Sequence, residues 1–232
     1  MTRVLAIDTS GPVTSIGVAD SGGANFAVSE EGGRRHAEVI DQVMHRVMGH
    51  LAEARPEVIV AGVGPGPYSG LRVGIAFAIG LGRAWNVPVV GACSLDAIAW
   101  GESAREGEMI VTNDARRNEI YWARYLVTVE HGAERIAGPQ VMHRDQAHFD
   151  VPVISERQVD AAVMAAHVVA LIDDDSSVLQ VPNADTPEDW APHGADGSRI
   201  SIPAGPLLAP RPLYLRTPDI TVSSKKGAGN PS

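Results

Sequence analysis

Apolar and polar positions along the first half of the chain alternate in a way that predicts a definite order of elements. Residues 4–7 are apolar in succession, as expected of a strand buried on both faces. Residues 13–19 resume a strand after the turn-rich Asp8-Thr9-Ser10-Gly11-Pro12, so the pair reads as a hairpin with an acidic, hydroxyl-bearing bend. Ser21-Gly22-Gly23 marks another turn before a third strand at 25–29. Between Arg34 and Ala54, the residues Ile40, Val43, Met44, Val47, Met48 and Leu51 fall at offsets 0, 3, 4, 7, 8 and 11. That spacing is a helical stripe, with Glu38, Asp41, Arg46 and Glu53 left for the other side. A β-branched run at 58–63 then ends in Gly64-Pro65-Gly66-Pro67, which forces a turn. Ser69 is the candidate N-cap of a helix running to Trp85. A short strand at 87–90 follows, and Ser94 is placed to cap a helix over 95–103.

The second half repeats part of this order. Residues 109–113 and 119–129 read as the arms of a second hairpin, with Asp114 following its strand much as Asp8 follows the first. A strand, an acidic bend and a returning strand, met twice, point to an internal duplication. A strand at 151–154 and a helix at 158–172 come next, and core packing is the default reading of that helix. Residues 173–206 are rich in Asp, Ser, Pro and Gly without a usable period and read as a long loop. Residues 212–217 read as an anchoring extended segment, and 225–232 as a disordered tail.

The helix at 69–85 breaks a rule. Gly70, Gly74, Ala78 and Gly82 recur every four residues along one face. Interior glycine costs roughly 1 kcal/mol relative to alanine, so Gly74, Gly80 and Gly82 together forgo about 3 kcal/mol. Close approach of another backbone offsets such a cost. Two candidates supply that backbone: the chain's own sheet, or a partner docked on this helix and the preceding one.

Composition narrows the class. The 232 residues carry a net charge of −9, which argues against nucleic-acid binding through this surface alone. One cysteine, Cys93, excludes an internal disulfide framework, fits a reducing compartment and reads best as a small buried apolar residue. Asp8 interrupts the first apolar run too early for a signal peptide, and no apolar run is long enough to span a bilayer. The expectation is a soluble intracellular protein.

Candidate chemistry is sparse. Asp8, Thr9 and Ser10 suit a nucleotide phosphate or hydrated magnesium, or else an Asx-turn in which Asp8 serves its own backbone. Gly64, Gly66 and Ser69 lead into a helix N-terminus, an anion site by geometry, but the GK[ST] ending of a P-loop is absent. Arg116 and Arg117, in the second bend, suit an anion or a partner's carboxylate, or a solvated turn. His36 and His45 lack the spacing of a zinc-binding helix, and His143 and His148 have no matched partners. No G-x-S-x-G elbow holds a serine nucleophile.

VLAIDTS at 4–10, RRHAEVI at 34–40, GPGPYSGLRVGIAFAIGL at 64–81, DARRNEIYWARY at 114–125 and PLYLR at 212–216 resemble, in the same order, the TsaB (formerly YeaZ) family. That family is the small partner subunit in bacterial tRNA threonylcarbamoyladenosine modification. The resemblance covers residues 1–130 and returns at 212–216. It implies an α/β, actin-like (ribonuclease-H-like) ASKHA-type fold of two related lobes, each with a mixed sheet and flanking helices. The implied division is an N-terminal lobe at 1–105, a smaller lobe at 106–217 with a mobile loop near 173–206, and a disordered tail at 218–232.

The resemblance also implies a role. The chain would be a cytoplasmic, non-catalytic partner that dimerises with and activates a metal-containing, TsaD-type transferase subunit. That subunit acts on adenosine 37 of tRNAs reading ANN codons, in a pathway with a TsaE-type ATPase, and tRNA would be met only through the complex. A homodimer is expected of the chain alone. The expected interface residues are His36, Ile40, Val43, Met44 and Val47 on the first helix, with Leu71, Gly74, Ile75, Ala78 and Ile79 on the second. No cofactor of its own is implied, and the resemblance leaves open a nucleotide at the complex interface. The catalytic paralogue's His-x-x-x-His falls near Ser94 and Ile98 here, neither an imidazole, so no catalytic metal is expected. The rival reading is an independent actin-fold ATPase or kinase using Asp8, Thr9 and the Gly64 to Gly70 loop.

Overall fold

The structure, a computed structural model, describes residues 1–51, 55–102, 104–175, 179 and 207–215. Its first sheet is built from β1 (Arg3–Asp8), β2 (Val13–Asp20), β3 (Asn25–Glu31), β4 (Val58–Gly62) and β5 (Val89–Ala92), in the order β3-β2-β1-β4-β5. The β1–β2 and β2–β3 pairs are antiparallel, while β1–β4 and β4–β5 are parallel. The parallel pairs need crossovers, and two helices supply them: α1 (His36–Leu51) and α2 (Tyr68–Trp85). β1 and β4 are buried almost end to end, as their unbroken apolar runs require.

The second sheet holds β6 (Gly107–Arg116), β7 (Glu119–Thr128), β8 (Gly132–His143) and β9 (Val153–Ser155), in the order β8-β7-β6-β9. It repeats the first four strands of the other sheet, antiparallel pairs and parallel closing strand included. In place of an equivalent of α1 it has one 3₁₀ turn, Arg144–Gln146. The fold is therefore α/β and actin-like, two related mixed sheets with flanking helices.

The remaining helices are exchanged between the sheets. α3 (Ser94–Trp100) leaves the first sheet and packs on β6, β7 and β8, whereas α4 (Ala161–Asp174) leaves the second sheet and packs on β1, β2 and β3. Two contacts fix this arrangement. Gly17 on β2 lets α4 approach so closely that a Cβ there would lie 2.5 Å from Ala162 N. Buried Asp96 on α3 accepts from Tyr125 Oη on β7 at 2.8 Å. Arg135 Nε on β8 lies 3.0 Å from Asp96 Oδ1, too oblique for a hydrogen bond and so a coulombic contact. Losing one partner of such a buried pair costs about 3–5 kcal/mol.

Several expectations shift. α1 starts at His36 rather than Arg34, and residues 52–54 lie outside the described residues. α2 is preceded by Pro67 as N-cap with no side-chain bond, so Ser69 sits exposed inside the first turn and caps nothing. Cys93, not Ser94, is the N-cap position of α3. α4 starts at Ala161 because Asp160 accepts from Ala162 N at 2.8 Å, an N-cap the sequence reading passed over. β8 was not anticipated, since its residues alternate too irregularly to show a period of two. The extended segment near 212 is in place: Leu208 bridges Gly91, and Leu213 N donates to Val63 O at 2.8 Å. The expected loop at 173–206, apart from 173–175 and 179, and the tail at 218–232 lie outside the described residues. No helix among the described residues is long and apolar enough to cross a membrane.

Candidate functional site

The acidic bend is a closed polar network. Asp8 Oδ1 accepts from Ser10 N at 2.9 Å and Ser10 Oγ at 2.8 Å, and Oδ2 accepts from Ser94 Oγ at 2.7 Å. Ser94 Oγ in turn accepts from Gly64 N at 3.1 Å, so one hydroxyl ties β1, the Gly64 loop and α3 together. Thr9 Oγ1 donates to Gly70 O at 2.8 Å and accepts from Gly74 N at 3.1 Å. Gly62 and Gly66 exist to make room: a Cβ on the first would lie 1.8 Å from Asp8 Oδ2, and on the second 2.3 Å from Ser10 O. Asp8, Thr9 and Ser10 are all buried. Burial pushes the Asp8 carboxyl above its ordinary range, with the bonds from Ser94 and Ser10 pulling the other way.

The structure thus brings Asp8, Thr9, Ser10, Gly64 and Gly66 together, but spends them on one another. This is the Asx-turn reading, because a phosphate or cation would have to displace Ser10 or Ser94 to reach Asp8. Arg116 is not part of the group. It lies exposed in the β6–β7 turn of the second sheet with φ of 63°. Ser94 and Ile98, where the resemblance places a metal motif in the catalytic paralogue, are a committed hydroxyl and a buried aliphatic side chain.

The expected interface residues also need correction. His36, Ile40, Val43, Met44, Val47, Leu71, Gly74, Ile75 and Ala78 are all buried in the chain's own core, and only Ile79 is partly exposed. The glycine ridge faces the chain itself. A Cβ at Gly70 would lie 2.7 Å from Thr9 O, at Gly74 2.3 Å from Thr9 Oγ1, and at Gly82 2.2 Å from Val89 Cγ2. His36 closes the same layer, its Nδ1 2.8 Å from Thr14 Oγ1 and its ring against Gly70. Burial holds the His36 imidazole below its ordinary pKa. Own-sheet packing therefore accounts for the ridge.

The flank of α2 next to this ridge is only partly covered by the chain. Val73, Ala76, Phe77, Gly80, Leu81 and Ala84 fall at offsets 0, 3, 4, 7, 8 and 11, a second helical stripe. Ala76, Gly80 and Ala84 are exposed, while Val73, Phe77 and Leu81 are half-buried and packed along one side against the chain's own core. A Cβ on Gly80 would meet nothing within 4 Å, so this chain gains no packing from its absence. Met48 on α1 is 42% exposed. At the head of the stripe Arg72 lies over the Tyr68 ring, 3.8 Å from its centroid, and Tyr68 stacks on Tyr214 at 4.3 Å. Arg72 Nε donates to Tyr214 Oη at 2.9 Å and Nη2 donates to Tyr68 Oη. Sequence reasoning missed this face because α2 is apolar nearly all round, so the conspicuous glycine ridge masked a second stripe of the same period.

A separate cleft of about 650 Å³ lies between α3, α4 and the β7–β8 turn, lined by Trp100, Glu106, Thr128, His131 and His167 among others. His167 stacks on Trp100 at 4.0 Å, and burial pushes its pKa down to about 4. The cleft contains none of the candidate residues.

Comparison with known proteins gives the context. The family model for TsaD, tRNA N6-adenosine threonylcarbamoyltransferase, matches residues 24–168. An uncharacterized protein of Mycobacterium tuberculosis is 34% identical over 229 residues, covering 94% of this chain and 94% of its own length. One of Mycobacterium leprae is 41% identical over 147 residues, 61% of this chain but only 39% of that protein's length. The Escherichia coli tRNA threonylcarbamoyladenosine biosynthesis protein TsaB is 29% identical over 150 residues, 61% of this chain and 64% of that one. Among solved structures, YeaZ from Pseudomonas aeruginosa superposes with a TM-score of 0.64 at 19% identity, over 76% of this chain and 94% of that one, a likeness of fold.

Proposed function

Because the chain belongs to the TsaB (YeaZ) family, within the wider group that the TsaD model describes, we propose that it serves tRNA threonylcarbamoyladenosine biosynthesis as a non-catalytic partner subunit. Its task is to dock and activate a TsaD-type catalytic subunit, the one that modifies adenosine 37 of tRNAs reading ANN codons. A TsaE-type ATPase belongs to the same assembly in this reading, and a nucleotide would be held between subunits rather than by this chain alone. The chain by itself would self-associate weakly through the same surface, in the cytoplasm.

One observation carries the proposal: the partly exposed stripe of α2, apolar along its length and bearing at Gly80 a helix-weakening residue that serves no contact among the described residues. A facing helix would use that gap for close backbone approach and cover Val73, Phe77 and Leu81. The chemistry of the buried bend supports the non-catalytic part, since its polar atoms are already paired. The ATPase or kinase reading has no comparable support, because nothing in the Asp8 network faces outward.

The test is co-purification with the TsaD-type subunit of the same organism, followed by amide exchange on the complex. Protection should appear on α2 from Val73 to Ala84 and near Met48. A complex that forms with α2 exchanging as in the free chain would refute this docking face. ATP turnover at enzyme-like rates by the isolated chain would refute the non-catalytic role.

A further inference from the structure

The cleft between α3, α4 and the β7–β8 turn shares no residue with α2. It exists because the two helices are exchanged: Trp100 ends α3 and His167 sits on α4, so both halves of the chain contribute walls. Its volume, about 650 Å³, suits a small molecule. The β7–β8 wall is fixed in place, since Thr128 Oγ1 accepts from His131 N at 3.1 Å. Two polar groups lining the cleft are unspent. His167 stacks on Trp100 at 4.0 Å, yet neither ring nitrogen is hydrogen-bonded among the described residues. Its imidazole is neutral at physiological pH, because burial pushes the pKa down to about 4, and a neutral ring keeps one lone pair for a donor. Glu106 has no cationic neighbour among the described residues, although Glu102 and Glu108 on either side of it in sequence are paired with Arg105 and Arg124. Among the described residues no lysine or arginine lines the cleft, and Ala104, Val129 and Ala133 add apolar surface.

We propose that this cleft binds a small primary ammonium ion carrying a short hydrocarbon body, with Glu106 as counter-ion, His167 as hydrogen-bond acceptor, and Trp100 and Val129 as the apolar wall. An anion would meet Glu106 and find no lysine or arginine. A neutral apolar molecule would cover Glu106 without giving it a partner, which costs free energy. An ammonium ion satisfies both unspent groups, and aromatic rings such as Trp100 attract organic cations through their electron-rich faces. The net charge of −9 adds a field that favours a cation. A bare divalent metal is poorly served, because Glu106 is the one carboxylate of the lining and no cluster of three metal-ligating groups occurs among the described residues. Binding here is independent of docking on α2, and either can fail without the other.

The experiment titrates the full chain with butylammonium, with butan-1-ol as its uncharged counterpart, and with butylammonium in the presence of magnesium at matched ionic strength. Calorimetry reads affinity, and NMR of the histidine rings reads position, the His167 signal being the one missing from His167→Gln. Butylammonium should saturate a single site and shift the His167 signal with the same half-saturation. Butan-1-ol should bind at least about fivefold more weakly, and magnesium should not compete. Glu106→Gln should weaken butylammonium binding about fivefold, the worth of an exposed ion pair at the upper end of its range. Glu106 is itself exposed, so the variant keeps its fold, which a melting scan checks. The amine–alcohol comparison tests the same charge without any substitution. Absence of saturable binding, equal binding of amine and alcohol, a Glu106→Gln chain that binds like wild type, or saturation that leaves the His167 signal unmoved would each overturn the proposal.

Discussion

On the inner face of α2, a methyl group at Gly74 would lie 2.3 Å from Thr9 Oγ1 and one at Gly82 would lie 2.2 Å from Val89 Cγ2. On the outer face, a methyl group at Gly80 would touch nothing within 4 Å. Both faces repeat small and apolar residues at helical spacing, yet only the first is crowded enough to require its glycines. The inner glycines are a requirement of this fold, since the buried bend and β5 occupy the space their side chains would take. Gly80 weakens the helix without any return among the described residues. Sequence spacing alone does not separate these cases, because a position's neighbours, and not its residue type, decide whether glycine is necessary.

The largest contrast comes from filling the inner face. Gly74→Val pushes its side chain into Thr9, which is buried and bonded to Gly70 O and Gly74 N and so cannot yield. The expected loss is about 3 kcal/mol, read by urea unfolding.

Acid should weaken the covered layers while leaving the outer face unchanged. His167 on α4, stacked on Trp100, has a folded-state pKa of about 4, below its unfolded value near 6.5. The unfolded chain therefore binds the proton first, and stability is lost as pH falls from 6.5 toward 4. That loss amounts to about 3 kcal/mol. His36, also lowered by burial, adds in the same direction. Asp8, raised by burial, acts oppositely: its contribution is present in acid and lost as pH rises through its folded pKa. Comparing unfolding of wild type and His167→Gln across this window isolates the first effect, which the variant should abolish.

The smallest effect is the most specific. Gly80→Ala should stabilise the free chain by up to about 1 kcal/mol, because only helix propensity changes. The same substitution should weaken the complex with the TsaD-type subunit, by intruding where a facing backbone lies. A melting scan and a titration on one preparation check both signs.

Much of the scaffold was legible in the sequence. The unbroken apolar runs of β1 and β4, the stripe of α1 and the Gly-Pro turn before α2 each follow from local chemistry, and the two acidic bends marked the duplicated hairpins. Asp8's own-chain role was visible as one of two readings, and only the position of Ser94, far along the chain, decided between them. The exchange of α3 and α4 between sheets was not legible, because it depends on which sheet each helix reaches after its strand. The interface residues were misplaced for a related reason. Ile40 and Val43 stood out by periodicity, but periodicity marks the core face, and the exposed stripe was hidden on a helix apolar nearly all round.

The most direct measurement is the affinity of Phe77→Asp for the catalytic subunit, taken beside its melting temperature. Phe77 is half-buried on the outer face. The variant should stay folded with a lowered melting temperature, because Phe77 also packs on the chain's own core, and bind at least about a hundredfold more weakly, the loss expected of an aromatic anchor at an interface centre. A variant that stays folded and binds as tightly as wild type would contradict the assignment of this face to a partner.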